Sequence, residues 1–187
     1  MKKLALTLMF AVGVAFAFGC TTVVKQEVVS PQAPEWVMKG TGVFSGDKGK
    51  VFRGIGVVQH VNNIGLARDA ASADARKELA NVFNNYIASM TKIYRRSTVG
   101  GDPAASSEEQ DITQATKSFT KMQLSGVTIA EFYHDPTTNT WYALAEMDLD
   151  LFKDFNAKAQ EMSEKARDFI RENADKAFEE LAAEESK

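Results

Sequence analysis

The feature that most constrains the fold is a long helical stretch with a small side-chain face. From Ile64 to Arg96 the sequence has no proline and, after Gly65, no glycine, so nothing interrupts a helix. Winding it at about 100° per residue places seven apolar side chains on one face. They are Ala71, Ala75, Leu79, Val82, Tyr86, Met90 and Ile93. Because the face begins with alanine, another element can approach the helix closely there.

The strand before this helix also has one face with small residues at its centre. Residues 50–61 are rich in β-branched and aromatic side chains, which is typical of a strand. One face carries Phe52, Gly54, Gly56 and Val58, and the other carries Val51, Arg53, Ile55 and Val57. Glycine inside a strand often marks the close approach of another backbone. We therefore expect Ala71 and Ala75 to pack against Gly54 and Gly56.

Two further strands form the clearest hairpin in the chain. Residues 127–133 and 140–148 flank an Asp-Pro-Thr-Thr-Asn turn. In the second of these strands, Ala143 and Ala145 share a face with Trp141 and Met147, so they can extend the small surface formed by Gly54 and Gly56. The pattern predicts an α+β fold with a small antiparallel sheet of about three strands. The long alanine-rich helix and a second helix at 108–123 would cover it.

A long amphipathic helix is predicted at the C-terminal end. From 150 to 183 the apolar side chains recur at steps of three and four residues. A continuous helix there is roughly 50 Å long, at 1.5 Å per residue, which exceeds the length of a small sheet. Two interpretations remain open. Its distal half contacts another subunit, or the helix folds back on its own domain.

One charge in the alanine-rich stretch is placed unlike the others. Asp69, Arg76 and Lys77 fall on the solvent side of the predicted helix, and Asp74 and Glu78 lie toward one edge. Arg68 instead lies in line with the apolar face. Because a buried guanidinium needs a counter-charge, we expect an ion pair with a carboxylate at a strand end, either Glu146 or Asp148.

The N-terminal residues are typical of a secretory signal. Two lysines precede sixteen uncharged residues, Leu4–Gly19, a run too short to span a bilayer comfortably. The following "AFGC" resembles the lipobox of bacterial lipoproteins, in which Cys20, the single cysteine, is acylated. Ordinary cleavage nearby, leaving a free Cys20 thiol, is the alternative. Thr21 after the cysteine resembles lipoproteins sorted to the outer membrane. Cys20 would then hold the protein at the membrane through its acyl chains.

Four segments follow from this organisation. They are a signal peptide at 1–19, a lipidated cysteine and tether at 20–35, an α+β domain at 36–150 and the acidic amphipathic helix at 151–187. After cleavage, 20 basic and 25 acidic side chains remain. This acidic balance lacks the basic patch expected of a nucleic-acid-binding protein.

The sequence offers no recognisable catalytic pattern. His60 and His134 have no cysteine near them, and "GIGVVQ" lacks the third glycine of a dinucleotide-binding loop. Asp148 and Asp150 are close in sequence but lack the spacing of an EF-hand. We therefore expect no catalytic residue, no metal and no cofactor.

Several blocks together resemble a known family. "PEWV", "GIGVV", "LARDAASADARKELA", "LSGVTIAEFYHDP" and "TWYALAEMDL" occur in this order after the lipoprotein-like signal. This arrangement resembles the Lpp-twenty family of bacterial membrane-associated lipoproteins, which is similar to flagellar outer-membrane disk lipoproteins and to the N-terminal domain of a flagellar assembly protein. The resemblance covers Trp36–Leu149. It implies a compact α+β domain that acts by association at the outer membrane, and it implies no catalytic residues.

Three hypotheses for function follow. The first is a lipid-anchored structural or assembly protein of the periplasmic side of the outer membrane, which binds an envelope protein or itself. The second is a ligand- or peptidoglycan-binding module, which should expose aromatic side chains such as Tyr133, Tyr142 or Trp141. The third is a hydrolase, which should bring acids and bases together.

Overall fold

The computed structural model describes residues 33–46, 49–97, 110, 112–113, 127–158 and 162–186. Within them, the elements are α1 (Glu35–Lys39), β1 (Gly42–Gly46), β2 (Gly49–Gln59), α2 (Ile64–Ser97), β3 (Ile129–Asp135), β4 (Thr140–Asp148), α3 (Leu149–Lys158) and α4 (Glu164–Glu185). The strands form one antiparallel sheet in the order β1-β2-β4-β3. The predicted α+β class is confirmed, with four strands in the described residues rather than three.

The close approach of helix and sheet expected from the sequence is present. In the β2–β4 register Gly54 lies opposite Ala145 and Gly56 lies opposite Ala143, so their small side chains share one face. A Cβ added at Gly54 would lie 2.8 Å from Leu79 Cα. One added at Gly56 would lie 3.0 Å from the carbonyl carbon of Ala71 and closer still to its oxygen. Four alanines at this contact are fully buried: Ala71, Ala75, Ala143 and Ala145.

Bulky side chains fill the core where α2 moves away from the glycines. Phe52 is fully buried, and its ring makes edge contacts with Phe83, Tyr86 and Phe178 at centroid distances of 5.3, 5.0 and 5.4 Å. The buried Tyr86 hydroxyl donates to the Ala174 carbonyl oxygen at 3.2 Å. This bond joins the middle of α2 to α4, which places the C-terminal region in the same core as the sheet.

The predicted long C-terminal helix is confirmed as α4 (Glu164–Glu185), but the prediction that it runs without a break from residue 150 is wrong, because α3 and α4 are separate helices. Ser163 begins α4 as its N-cap, because its Oγ accepts a hydrogen bond from the Ala166 backbone N–H at 3.2 Å. The apolar residues of α4 are buried in the main core: Ala166, Ile170, Ala174, Ala177, Phe178 and Leu181. The helix therefore folds back on its own domain. Because its apolar side chains are buried there, they give no argument for a second subunit that packs on them.

Some expectations lie outside the described residues. They include the signal segment, Cys20, the tether as far as residue 32, and most of the helix expected at 108–123. Of that last region, Ile112 is described and is buried in the main core. Among the described helices, none has the length and apolar character needed to cross a membrane.

Candidate functional site

The two faces of the sheet have different surroundings. One face packs against α2, and we call the opposite one the open face. Strand alternation and register place side chains from all four strands on the open face. They include Phe44, Val51, Arg53, Ile55, Val57, Glu131, Tyr133, Tyr142, Leu144, Glu146 and Asp148. Among the described elements, the five-residue helix α1 packs on this face. The open face is therefore the part of the sheet that is best placed to meet another molecule.

Trp36 attaches α1 to the open face. Its side chain is 7% exposed and lies in a small apolar cluster with Ile55 and Leu144. Its indole Nε1–H donates to Glu131 Oε2 at 2.6 Å. After α1, Thr41 Oγ1 accepts a hydrogen bond from the Ile55 backbone N–H at 2.9 Å. These contacts hold α1 and the residues after it on the sheet.

An ion pair crosses the middle strands of the open face. Arg53 on β2 lies directly opposite Glu146 on β4, and Arg53 Nε is 2.7 Å from Glu146 Oε1. The guanidinium also lies over the Phe44 ring, 4.8 Å from its centroid. Both charged side chains are about one-fifth exposed. Arg53 is therefore balanced by a carboxylate and packed against an aromatic ring, which fixes its position.

A row of apolar and aromatic side chains lies beside this ion pair. The strand register places Val57, Tyr142 and Tyr133 next to one another across β2, β4 and β3. The two tyrosine rings are 5.9 Å apart and inclined by 35°. Val57 is 42% exposed, and the tyrosines are half-buried. These three residues form a continuous row of one aliphatic and two aromatic side chains.

A cleft of about 400 Å³ lies between α1 and the β1–β2 hairpin. Its walls include Glu35, Lys39, Phe44 and Arg53. Glu35 Oε1 is 2.9 Å from Lys39 Nζ, and a hydrogen bond from Lys39, reinforced by its charge, lowers the pKa of Glu35. Among the described residues of the cleft, Lys39 is paired with a carboxylate within α1 and Arg53 with one across the sheet.

The predicted buried ion pair of Arg68 is wrong. Arg68 is exposed, and its guanidinium lies 4.3 Å from the centre of the Phe132 ring on β3. Glu146 and Asp148 project from the open face, whereas α2 lies against the other face, so neither carboxylate can meet Arg68. The long arginine side chain crosses the edge of the helix–sheet contact and keeps its charge in water.

The remaining polar residues named from the sequence do not converge on one site. His134 stacks on Trp141 at 4.5 Å, and its Nε2 lies 3.2 Å from Asn139 Oδ1. His60 is exposed at the end of β2. Asp148 is exposed, and Asp150 pairs with Lys153 at 3.2 Å. Within the described residues, no three histidine, cysteine or acidic side chains are grouped closely enough to hold a metal ion.

Sequence reasoning missed the residues that organise the open face. Alternation alone places Arg53 beside Ile55, but its pairing with Glu146 depends on the register between β2 and β4, which lie far apart in sequence. Asp74 was expected at a solvated edge. Its Oδ2 in fact accepts a hydrogen bond from the Val57 backbone N–H at 3.1 Å. Strand alternation does predict that Arg53 lies on the face opposite α2. No local sequence feature identifies Glu146 as its partner.

No family model matches the chain. No curated protein matches its sequence either.

Proposed function

We propose that the protein is a lipid-anchored lipoprotein of the outer membrane that acts by binding another protein of the cell envelope through its open face. The observation that carries this proposal is the make-up of that face. An apolar and aromatic centre is bordered by charged groups that are paired with their own neighbours, such as Arg53 with Glu146 and Glu35 with Lys39.

Such a composition is typical of protein interfaces. Tyrosine, tryptophan and arginine are enriched where binding energy is concentrated, and charged residues are depleted at the centre of an interface. The open face carries Tyr133, Tyr142 and Arg53, and Trp36 of α1 packs on it, so all four side chains hold fixed positions. Because these side chains are already packed or hydrogen-bonded, little conformational entropy is lost when a partner binds.

The lipid anchor rests on the sequence around Cys20. The tether from Cys20 to Glu35 leads directly into α1, and α1 lies on the open face. At about 3.3 Å per residue this tether spans at most roughly 50 Å. An acylated Cys20 would therefore keep the open face within that distance of the membrane surface, where envelope partners are concentrated.

A second candidate is a small-ligand or peptidoglycan-binding role. The cleft beside α1 favours it, because about 400 Å³ is within the size range of small-molecule sites. The paired state of Lys39 and Arg53 argues against a simple anion site, since a bound anion would have to displace a carboxylate from each of them.

Site-specific cross-linking in the cells that produce the protein tests the proposal. A photoreactive residue at Val57 samples the open face, and one at Asn84, exposed on α2, is the matched control. We expect a discrete protein adduct at Val57 that is lost with Tyr142→Ala and absent at Asn84. Adducts that disappear on digestion of peptidoglycan would instead support the second candidate. Equal adducts at both positions would contradict the use of this face.

A further inference from the structure

Three side chains close the β1 side of the sheet. Glu185 Oε2 accepts a hydrogen bond from the Val43 backbone N–H at 2.9 Å. Beyond the end of β1, where β2 itself becomes the edge, Thr41 Oγ1 accepts from the Ile55 N–H and Asp74 Oδ2 accepts from the Val57 N–H. These donors point outward from the sheet, where a further strand would otherwise bind them.

β1 lacks the usual protection of an edge strand. Natural edge strands avoid pairing through charged side chains, proline or bulges. The five residues of β1, Gly42–Gly46, contain neither charge nor proline, and their register with β2 runs without a shift. The carboxylate that protects this strand is supplied from α4, about 140 residues away in sequence. Protection of β1 therefore depends on the position of a distant helix.

Gly42 makes room for this contact. A Cβ at Gly42 would lie 2.6 Å from Glu185 Oε2, and its φ of 151° lies in a region that other residues rarely adopt. Glu185 is the last residue of α4, and its side chain is brought to β1 by the burial of Phe178 and Leu181 in the turns before it. Since Glu185 itself is exposed, the contact can open without disturbing the core.

We infer that β1 is a latent strand-pairing edge for a second copy of this chain, and that Glu185 keeps it closed. Backbone alternation sends the Ser45 N–H to the same side as the Val43 N–H. A two-fold axis through Phe44 then places Val43 opposite Ser45 of the second copy and Ser45 opposite Val43 of the second copy. Both outward N–H groups find carbonyl partners in this arrangement, and no like charges face each other across it.

Besides completing the core, the C-terminal helix therefore opposes self-association. The sequence had left open that this helix joins two subunits, whereas the contact of Glu185 with Val43 blocks the strand that is best suited to pair. This inference does not depend on the lipid anchor or on the open face. It is tested on the soluble chain with Cys20 replaced by serine and residues 1–19 omitted.

Two substitutions at one position separate the hydrogen bond from the charge. Glu185→Ala removes the acceptor, and Glu185→Gln keeps a carbonyl oxygen of the same reach. In dilute Glu185→Ala protein, we expect hydrogen exchange at the Val43 amide to be about tenfold faster than in wild type, since one charge-assisted hydrogen bond is lost. As the concentration rises, light scattering should show a species of twice the mass. Glu185→Gln should stay close to wild type in both measurements.

A third variant identifies the paired strand. Adding Ser45→Pro to Glu185→Ala removes the second outward N–H and should return the mass to that of a single chain. Glu184→Ala, which alters the exposed neighbour of Glu185, is the control and should behave as wild type. Unchanged Val43 exchange in Glu185→Ala would overturn the closing role of Glu185. A single-chain mass at every concentration, or a dimer that persists with Ser45→Pro, would overturn pairing through β1.

Discussion

Arg53 and Glu146 lie directly opposite each other on β2 and β4, and their ion pair stands on the face of the sheet that α2 does not cover. The sequence suggested a different partner for Glu146, because Arg68 falls near the apolar face of the predicted helix. The observed pair fixes two charges on the sheet, and the guanidinium of Arg53 lies over the Phe44 ring. It is therefore part of the surface that we propose for binding.

Removing both members of this pair should cost less than the sum of the two single losses. We expect Arg53→Met or Glu146→Gln alone to lower the free energy of unfolding by about 1–3 kcal/mol, because each leaves a partly buried charge or acceptor unpaired. The double variant should lose less than the sum of the two, by about 1 kcal/mol. Urea unfolding of the four proteins measures this coupling. Additive losses would contradict a direct interaction.

The glycines of β2 give a second prediction. Gly54→Ala should lower the free energy of unfolding by about 1–3 kcal/mol or more, because its new Cβ would meet the α2 backbone, which cannot move aside as a flexible side chain does. Gly46→Ala is the matched control, since nothing lies within 4 Å of a Cβ at that position. Urea unfolding midpoints provide the comparison. Equal midpoints for the two variants would contradict the close helix–sheet contact.

How much of this fold is readable from sequence depends on the range of the interaction. The contact of Gly54 and Gly56 with Ala71 and Ala75 was predictable, because strand alternation and helical winding are local properties and the two elements follow each other in the chain. The error at Arg68 arose at a position on the border of a helix face. At such a position, the direction of the side chain decides whether its charged group is buried in the core or exposed to solvent.

The candidate site was less predictable than the fold. The pairing of Arg53 with Glu146 and of Trp36 with Glu131 depends on the packing of residues more than 90 positions apart. The same holds for Glu185 and Val43. The start of α4 did have a local sequence signal, because Ser163 is an N-cap residue. The apolar repeat continues on both sides of Ser163, so the sequence pattern predicts one helix.

The C-terminal helix should contribute directly to stability. Phe178 is fully buried against Phe52, so Phe178→Ala should lower the free energy of unfolding by about 3–5 kcal/mol. Met38→Ala, at a side chain that is 79% exposed, should leave it nearly unchanged. Urea unfolding measures both variants. A small loss for Phe178→Ala would mean that α4 is not part of the folded core.

Asp175 makes the attachment of α4 sensitive to acid. Lys153, whose Nζ is 2.7 Å from Asp175 Oδ2, lowers the pKa of this carboxyl from its ordinary value of 3.8, and Lys50 lowers it further. Partial desolvation of Asp175 raises the pKa but does not cancel these two effects. Because the folded pKa is the lower one, the stabilisation is present above the unfolded pKa and disappears as the pH falls through the folded value. Half of the side chain is exposed, so the contribution is small.

The pH dependence can be isolated with Asp175→Asn. The stability difference between wild type and this variant should stay constant above about pH 5 and shrink as the pH falls through the lowered pKa of Asp175. In a Lys153→Met background, which removes the main partner, the same comparison should vary less with pH. Thermal unfolding at a series of pH values measures both. A difference that stays constant in the wild-type background would contradict the ion pair.

Membrane attachment through Cys20 is the part of the proposal that the sequence alone supports. Cys20→Ser should move the protein from the membrane fraction to the soluble fraction, because one serine cannot carry the acyl chains that provide the apolar anchor. Thr22→Ser, two positions along the tether, is the control and should remain with the membrane. Immunoblots of separated fractions measure both variants, and retention of Cys20→Ser would contradict the anchor.

Binding through the open face is the central claim, and its most direct measurement is affinity for the envelope protein cross-linked at Val57. With that protein purified, titration calorimetry should show that Tyr142→Ala weakens binding by about tenfold or more, as expected for an aromatic residue at the centre of an interface. Asn84→Ala, on the far side of α2, should bind as wild type does. Equal affinities for wild type and Tyr142→Ala, with both folded, would contradict the claim.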